Sequence, residues 1–538
     1  MARAAFPRGC LGLWLRDSLG TLYTDADFVT LYPERGRPAV APWRLALVTV
    51  LQFAEALTDR QAADAVRGRI DWKYALGLAL TDPGFDFSVL SEFRERVLAG
   101  GRAAVFLDRL LEHCRERGWL GAGGRQRTDS THVLAAVRAL GRLQLAEETL
   151  RAALDAVARE APDWLAGWAP EAWGARYGRR SEAGRLPRAT AARERRAEQA
   201  GADGVALLGA LAAPDAPAGA GLLPAVATLR RVWLQQFYAP DEAGRVGWRR
   251  VEDLPPHARA IRSPHDVEAR FGRKRELAWV GYKDHLTETC APELPHLVTH
   301  VATTAATTDD RAVTPRVQAD LAAKGLLPGE HVVDAGYTDA GLVAQSRRLH
   351  GIDLVGPVQQ DTSRQARAGA GFALADFRID WPQQTVTCPA GQPSVRWEPR
   401  QTAYGTPVIE VGFARAACRA CPSRALCTTS PAEPRQLTLR TQAEHDALRA
   451  ARERQQTPAY RAAYAARAGV EGTIAQAAGA LEARRARYRT LAKTTLQALA
   501  TATAINVLRL FAWTQDPTAY LARQSAFAAL FPPEPAPC

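Results

Sequence analysis

The segment from Leu277 to Val358 alternates strand patterns with a helical pattern, and this order restricts the fold more than any other feature of the chain. The strand patterns are LAWVGYKDHLTET, HLVTHVATTAA, HVVDAGY and DLVGPV, and the helical pattern DLAAKGL precedes the third of them. Strands interleaved with helices indicate a mixed α/β sheet. With 538 residues, the chain has room for this sheet and for further structural units.

One acidic residue stands at the end of a predicted strand. In HVVDAGY, Val332 and Val333 predict the end of a buried strand, and Gly336 permits a turn after Asp334. The Asp334 carboxylate would then lie at the carboxyl edge of the sheet, where open α/β sheets bind ligands. Asp334 is therefore a candidate functional residue.

Two further acidic residues, Asp129 in RTDSTH and Glu471 in YAARAGVEGT, complete a candidate set. Tyr464, Arg467 and Glu471 are spaced i, i+3 and i+7, which predicts one face of a helix on which a guanidinium and a phenol can hold a phosphate. The strand pattern around Asp129 is weaker, because GRQRTDSTHV shows little apolar alternation. Three converging carboxylates repel one another, and divalent cations about 3.5 to 4 Å apart relieve this repulsion. The set predicts a two-metal site for phosphoryl transfer.

The same motifs carry a resemblance to a known family. The spacing of Tyr464, Arg467 and Glu471, together with TDSTHV, VVDAGYTD and the stretch from GVEGTIAQ to RYRTLAKT, resembles the DDE transposases of bacterial insertion sequences. The block from about Tyr23 to Val97 is also similar, so the resemblance covers most of the chain. In the family a lysine follows the glutamate after six residues, but this chain has Ala478 there. The replacement candidates are Arg484, Arg485 and Lys493.

The resemblance implies a fold, a reaction and a ligand set. The fold would be an RNase-H-like mixed sheet, in which Asp129, Asp334 and Glu471 hold two magnesium or manganese ions. Tyr464 and Arg467 would grip phosphates. The implied activity is cleavage of double-stranded DNA at the terminal inverted repeats of an insertion sequence and strand transfer into target DNA, by a homodimer when DNA is bound. The alternatives are a metal-dependent DNA nuclease without joining activity, or a DNA-binding protein whose catalytic core has decayed.

The patterns along the chain predict distinct structural units. Short helical patterns near the N-terminus fit a helix-turn-helix-like DNA-binding domain, with a plain three-helix packing unit as the alternative. Within it, Thr58 or Asp59 is expected to cap the second helix and Ser88 the third. The predicted units are the helical DNA-binding domain at 1–100, the first part of the catalytic core at 120–360 with a helical insertion at about 135–260, a β-rich zinc-binding insertion at 361–440, the C-terminal core helices at 441–515, and a loose tail at 516–538.

Cysteines cluster in the predicted β-rich unit. Cys418 and Cys421 form a Cys-x-x-Cys pair, Cys427 follows six residues later, and Cys388 lies in a neighbouring predicted hairpin. Thiolates at this spacing can bind one structural zinc ion. A redox dithiol is the alternative for the Cys-x-x-Cys pair, but the patterns of a thioredoxin-like strand and helix do not follow it.

The charge of the chain favours a polyanionic partner. There are 69 basic and 57 acidic residues, for a formal net charge of +12. The alternative is that part of the arginine excess reflects a GC-rich genome. The segment after Glu471 carries a higher density, in LEARRARYRTLAK, so phosphate contacts by Arg484, Arg485 and Lys493 are expected. Since no secretory leader pattern or membrane-spanning stretch is recognised near the start, we expect a cytoplasmic, nucleoid-associated protein without a membrane partner.

Other residues near the candidate site have structural interpretations. Asp309 and Asp310 precede a helical pattern, so helix capping is preferred over catalysis. Gly469 and Gly472 each cost a helix interior about 1 kcal/mol relative to alanine, which predicts a kink or a close approach of a backbone, with a simple helix break as the alternative. TTLQALATATAINVLRLFAW is apolar on nearly every face and predicts a buried helix against the sheet.

Overall fold

The computed structural model describes residues 1–33, 35, 39–180 and 186–517. Of the predicted loose tail, residues 518–538 lie outside this range. The predicted α/β class is confirmed, because the described residues form a mixed sheet surrounded by many helices.

A mixed sheet forms the centre of the protein. Its strands are β1 (Arg125–Leu134), β2 (Arg270–Lys274), β3 (Leu277–Thr289), β4 (Val298–Ala305), β5 (Glu330–Val333) and β6 (Asp353–Val355). The order is β2-β3-β1-β5-β6, and β4 pairs with β3. β3 is antiparallel to β1, β2 and β4, whereas β1, β5 and β6 run parallel to one another. Each strand predicted between Leu277 and Val358 is confirmed.

β1 lies in the middle of this sheet although its sequence is polar. Its buried hydroxyl and amide groups find partners on neighbouring strands, as buried polar groups must. The Thr128 hydroxyl lies 2.7 Å from the hydroxyl of Thr287 on β3 and 2.7 Å from Nε2 of His331 on β5. These partners are distant in sequence, which explains why the strand pattern around Asp129 is weak.

The N-terminal unit is helical. Its helices are α1 (Ala2–Ala5), α2 (Leu11–Trp14), α3 (Pro42–Ala54), α4 (Asp59–Gly68), α5 (Ile70–Leu76), α6 (Ser88–Ala99) and α7 (Val105–Glu116). Thr58 caps α4, since its hydroxyl accepts a hydrogen bond from the Gln61 amide at 3.3 Å. The predicted cap at Ser88 is wrong: Ser88 is the first residue of α6, and its amide donates to the Asp86 carboxylate at 2.9 Å.

A helical insertion lies between β1 and β2. Its helices are α8 (Arg142–Glu160), α9 (Pro162–Trp168), α10 (Ala172–Tyr177), α11 (Thr190–Ala210) and α12 (Pro224–Gln236). Leu150, Leu207 and Leu229 are fully buried in a hydrophobic core that belongs to this unit. The insertion therefore packs largely on itself.

Two helices connect strands of the sheet, one between β4 and β5 and one between β5 and β6, and a small β-rich unit follows the sheet. The helices are α13 (Thr314–Ala323) and α14 (Ala340–His350); the β-rich unit contains α15 (Arg364–Ala368), β7 (Arg378–Asp380), β8 (Thr385–Thr387), β9 (Ser394–Gln401), β10 (Pro407–Phe413), α16 (Arg415–Ala420), α17 (Arg424–Cys427) and β11 (Gln436–Leu439). Phe377, Val411 and Leu439 form its core.

The C-terminal helices return to the sheet. They are α18 (Gln442–Gln455), α19 (Pro458–Ala465), α20 (Gly469–Ala480) and α21 (Leu491–Gln515). The prediction of a buried helix is confirmed by α21, which contacts β4 and α3. Within the described ranges, α21 is the one helix long and apolar enough to cross a membrane, and 78% of its apolar window is buried inside the protein, as in a core helix.

A hydrophobic core joins the N-terminal helices to the sheet through α21. Trp14 of α2 contacts Phe511 of α21 edge to face, with ring centroids 5.7 Å apart. Leu51 of α3, Ile505 of α21 and Ala302 of β4 are fully buried in the same cluster. The N-terminal helices and the sheet therefore share buried surface.

Candidate active site

The sheet topology brings Asp129 and Asp334 together. β1 and β5 are parallel, with Thr128 opposite Val333, so the next residue on each chain is one of the two aspartates. Asp334 follows β5, where its carboxylate accepts a hydrogen bond from the Gly336 amide at 2.8 Å and caps a short 3-10 turn. Asp334 therefore lies at the carboxyl end of β5, where open α/β sheets bind ligands, and Asp129 lies beside it in the middle of β1.

Asp129 is a buried carboxylate with a perturbed pKa. Its side chain is 11% exposed. Burial raises its pKa, and the nearby Asp334 carboxylate raises it further, whereas the amide of Ser130 and the charges of Arg467 and Lys274 act in the opposite direction. Ser130 donates its backbone N–H to the Asp129 carboxylate at 2.7 Å. The net rise, of which burial is the largest cause, means that the charged form of Asp129 is poorly stabilised, and a bound cation would stabilise it.

Arg467 connects Asp129 to Glu471. Its Nη1 donates to Asp129 at 2.9 Å, and its Nη2 donates to Glu471 at 2.8 Å. Burial opposes the charge of Arg467, but Asp129, Tyr464 and Glu471 outweigh this effect and raise its pKa. The Glu471 side chain is 62% exposed, so this carboxylate faces solvent beside a partly buried partner.

Tyr464, Arg467 and Glu471 lie on one side of an unbroken helical segment, as predicted, but a 3-10 turn separates its two α-helices. Tyr464 belongs to α19, Arg467 to a 3-10 turn at Ala466–Ala468, and Glu471 to the first turn of α20. The residues still meet on one side, because the Arg467 guanidinium carbon lies 6.0 Å from the Tyr464 ring centroid. Tyr464 is stacked on Tyr460, with ring centroids 5.7 Å apart.

An open cavity of about 600 Å³ adjoins the acidic residues. Asp129, Glu471, Ala478 and Arg484 contribute to its lining. Asp334 lies close enough to affect the pKa of Asp129 but does not line the cavity. Ala478 stands at the position where the resembling family has a lysine, and Arg484 lines the same cavity.

Arg484 reaches this cavity because its segment extends the sheet. The amide of Leu134, the last residue of β1, donates to the Arg484 carbonyl at 2.8 Å, and the Ala486 amide donates back to Leu134 at 2.8 Å. The Arg484 side chain donates from Nε to the Thr131 hydroxyl at 3.0 Å. Lys493 points elsewhere and forms an ion pair with Glu95 of α6. Arg485 is exposed and lies outside the cavity lining.

Three other polar residues near the candidate site, Asp309, Asp310 and His132, have structural roles. Asp309 accepts the Arg311 amide at 3.0 Å and caps a 3-10 turn, which confirms the capping interpretation for this residue. Asp310 forms an ion pair with Lys283 at 2.7 Å. The His132 ring packs against Trp279, with centroids 5.7 Å apart.

The clustered cysteines lie in the β-rich unit, away from the acidic residues. Cys388, Cys418, Cys421 and Cys427 all line a cavity of about 30 Å³. Burial raises the pKa of the Cys427 thiol; Arg435 opposes this, and the other three thiols raise the pKa further, so the four groups interact. The Cys388 sulfur accepts a hydrogen bond from the Gln392 amide at 3.3 Å.

Metal-binding geometry is not preformed at either place. Among residues 1–33, 35, 39–180 and 186–517, no three or more His, Cys, Asp or Glu side chains are arranged closely enough to hold a metal ion. At the acidic site, the carboxylate oxygens of Asp129 and Glu471 are engaged by Arg467. The donor types nevertheless suit hard divalent cations there and zinc at the cysteines.

Sequence reasoning missed the buried groups that support this site. Arg127 and Glu288 form an ion pair at 2.6 Å beneath the Glu471 segment, with side chains 5% and 0% exposed. Lys274, at the end of β2, contributes positive charge near Asp129. Gly469 is the sequence feature that indicated these buried groups, because a glycine within a helical pattern predicts a close neighbour.

Comparison with known proteins gives two family matches. The family described as transposase DDE domain matches residues 387–511, which include the four clustered cysteines and the Tyr464 to Glu471 motif. The family described as transposase domain (DUF772) matches residues 16–96, which include α3 to α5. No curated protein and no solved structure matches the chain. Transposase domains at both of these positions support a DDE transposase of the insertion-sequence type.

Proposed function

We propose that this transposase cleaves DNA at the ends of an insertion sequence and transfers the freed strand into target DNA, using Asp129, Asp334 and Glu471. The observation that carries the proposal is the adjacency of Asp129 and Asp334 on neighbouring parallel strands, with Arg467 joining Asp129 to Glu471. The strand order and directions of the sheet support an RNase-H-like core.

The donor set and the raised pKa of Asp129 fit divalent cations. Asp129 and Asp334 would hold them from the sheet, and Glu471 would complete the set from α20. When bound, two magnesium or manganese ions supply Lewis-acid activation of the attacking oxygen and stabilisation of the leaving oxygen. Asp129 and Glu471 must release the Arg467 guanidinium in order to bind the cations.

The chain's own residues would hold the DNA in register. Arg467, once released from the carboxylates, presents a planar fork of donors that suits a phosphate. Tyr464 keeps this guanidinium close to the site from one side. Arg484 would provide a cation at the cavity beside Ala478, and the exposed Arg485 would contribute to the longer-range attraction of DNA. Lys493 would do so only after leaving Glu95.

The remaining units would support this reaction. The N-terminal helices, within the match at 16–96, would contact the element ends, and two copies of the chain would pair two ends as a homodimer. The four cysteines around one small cavity support a structural zinc ion in the β-rich insertion, in which Cys388, Cys418, Cys421 and Cys427 are the ligands. A protein acting on bacterial DNA in this way would work in the cytoplasm, at the nucleoid.

The test is a cleavage assay with DNA that carries the element's ends, in the presence of magnesium. The variant Asp334→Ala is compared with wild type and with Asp309→Ala, a matched loss of an aspartate that caps a turn. We expect cleavage by wild type and by the control, and none by Asp334→Ala. Undiminished cleavage by Asp334→Ala would refute the assignment. Cleavage by wild type without joined products would indicate a nuclease, and end binding without cleavage would indicate a decayed core.

A further inference from the structure

A buried carboxylate lies beneath the segment that carries Glu471. Glu288, on β3, has a fully buried side chain that forms ion pairs with Arg127 of β1 at 2.6 Å and with Arg509 of α21 at 2.7 Å. Burial alone would raise the pKa of Glu288, but the two guanidinium groups and the Thr473 hydroxyl outweigh it and lower the pKa. A buried carboxylate of this kind keeps its charge only while its partners stay in place.

Arg127 ties the 3-10 turn before Glu471 to the sheet. Its Nε donates to Glu288 at 2.7 Å, while its Nη1 donates to the Ala466 carbonyl at 2.6 Å. Arg127 and Asp129 are two residues apart on β1, so their side chains lie on the same face of the sheet. Ala466 directly precedes Arg467. A single guanidinium therefore connects the strand of one acidic residue to the turn that carries Arg467.

The other side of Glu471 is tied to the same carboxylate. The Thr473 hydroxyl donates to Glu288 at 2.5 Å, and Arg509 donates to the Thr473 oxygen at 2.6 Å and to Glu288 at 2.7 Å. Thr473 is two residues after Glu471 on α20. Glu288 thus anchors the chain on both sides of the exposed carboxylate.

Gly469 is the place where Arg127 passes over the backbone of α20. A Cβ built at Gly469 would lie 2.1 Å from Nη1 of Arg127, which is far inside van der Waals contact. An arginine head can usually move aside, but this one could move only by giving up its bonds to Glu288 and Ala466. At Gly472, by contrast, no described atom lies within 4 Å of the added Cβ. The close approach predicted for this helix therefore exists at Gly469, and its partner is a side chain.

From these contacts we infer that Arg127 and Glu288 are positioning residues, which fix Glu471 relative to Asp129 through Ala466, Gly469 and Thr473. The inference rests on the proposed function of the acidic residues as metal ligands. Glu471 itself is largely exposed, and it must release Arg467 when cations bind. The buried network of Arg127 and Glu288 therefore holds the backbone on both sides of Glu471 in position. Displacing Arg127 would release the Ala466 carbonyl and let Glu471 shift relative to Asp129 and Asp334.

The matched substitutions Gly469→Ala and Gly472→Ala test the inference. Each adds one methyl group to α20, and alanine favours a helix over glycine. At position 469 this gain is opposed by the loss of buried contacts of Arg127, so all variants are compared at a temperature at which they are folded. Affinity for Mn²⁺ is measured on the full chain without DNA, by electron paramagnetic resonance of free Mn²⁺. We expect Gly469→Ala to weaken binding by about 10- to 100-fold, the usual effect of losing a group that orients metal ligands. Gly472→Ala should remain within about twofold of wild type.

A double-variant comparison separates positioning from general packing. Lysine at position 127 retains the charge near Glu288 but lacks the fork that also reaches Ala466, so Arg127→Lys should weaken Mn²⁺ binding by itself. Adding Gly469→Ala to Arg127→Lys should then cost much less than it does in wild type, because the clashing group is gone. Equal and independent losses would contradict the inference. If Gly469→Ala fails to fold, Thr473→Val decides: it preserves shape but removes the hydroxyl bonded to Glu288 and Arg509, and it must weaken Mn²⁺ binding at a temperature at which the variant is folded.

The same measurements distinguish this inference from the function on which it rests. If wild type binds no Mn²⁺, or if Asp334→Ala binds it equally well, the proposed metal site is wrong. If Asp334→Ala loses binding while Gly469→Ala binds like wild type, the metal site stands and the positioning role of Arg127 and Glu288 is overturned.

Discussion

The guanidinium of Arg467 lies 2.9 Å from the carboxylate of Asp129, so the strand with the first acidic residue is bonded to the turn before the third. The same guanidinium contacts Glu471 at 2.8 Å. Arg467 therefore forms ion pairs with two of the carboxylates that, in the proposed function, bind cations. Its replacement should affect metal binding and DNA cleavage in opposite directions.

We expect Arg467→Gln to bind Mn²⁺ more tightly than wild type in the absence of DNA, by about fivefold, which corresponds to roughly the 1 kcal/mol of a partly exposed ion pair. The reason is that the guanidinium no longer competes for the carboxylate oxygens. Cleavage of DNA ends should nevertheless fall, because a phosphate contact is lost. Titration with Mn²⁺ and a single-turnover cleavage assay measure the two effects, with Arg316→Gln on α13 as the control. Weaker Mn²⁺ binding by Arg467→Gln would contradict this view of the site.

Arg484 is expected to replace the lysine that the family places at position 478. Arg484→Ala should weaken binding of end DNA and reduce the slope of log affinity against log salt by about one, as for the loss of one phosphate contact. Adding Ala478→Lys should restore much of the affinity, since both positions line the same cavity. Binding measured by fluorescence anisotropy at several salt concentrations tests this. No recovery with Ala478→Lys would show that Arg484 acts elsewhere.

The β-rich unit should contain about one zinc ion per chain after purification without added metal. Elemental analysis measures the content, and Cys418→Ser should lose the ion and lower the melting temperature. Cys10→Ser serves as the control, because Cys10 lies in the N-terminal unit at the start of α2. Folded wild-type protein without zinc would show that the thiols around this cavity have another role.

A buried aspartate on β3 should make stability depend on pH. Burial raises the pKa of Asp284 from an ordinary 3.8 to about 7, and the Thr303 hydroxyl only partly opposes this. Because the folded-state pKa is the higher one, the unfolded state releases this proton first, and stability is lost as the pH rises from about 4 to about 7. The full shift corresponds to an upper limit of about 4 kcal/mol, at about 1.4 kcal/mol per unit.

Asp284→Asn should therefore raise the free energy of unfolding at pH 8, by roughly 1 to 3 kcal/mol, and have little effect near pH 4. Urea unfolding at the two pH values measures the difference. Asp320→Asn is a useful contrast, since a hydrogen bond from His300 lowers the pKa of Asp320 and its loss should destabilise the protein at neutral pH. A gain for Asp284→Asn that is equal at both pH values would exclude titration as its cause.

Sequence patterns located a functional residue best where neighbouring apolar residues marked its strand. Val332 and Val333 made the strand before Asp334 recognisable, and Gly336 marked its turn; the structure has β5 and a short turn at these positions. Asp129 had no such support, because β1 is stabilised by polar partners on β3 and β5 that only the folded chain supplies.

The helical segment that carries Tyr464, Arg467 and Glu471 contains a 3-10 turn that the sequence did not indicate, for a related reason. Spacing alone describes an isolated helix, whereas here the Ala466 carbonyl is held by Arg127, from a strand more than 300 residues earlier. The chain between Tyr464 and Glu471 tightens into a 3-10 turn at that contact. The motif residues still converge, so the side chains were predicted more accurately than the backbone that presents them.

The buried surface that α21 shares with α2, α3 and β4 has a practical consequence for work with fragments. A catalytic fragment that starts near residue 120 would leave an apolar stripe of α21 open to water, and contiguous apolar patches of this kind promote aggregation. We therefore expect such a fragment to be insoluble when expressed alone. Dissection of end binding from catalysis is better done by point substitution in the intact chain than by truncation.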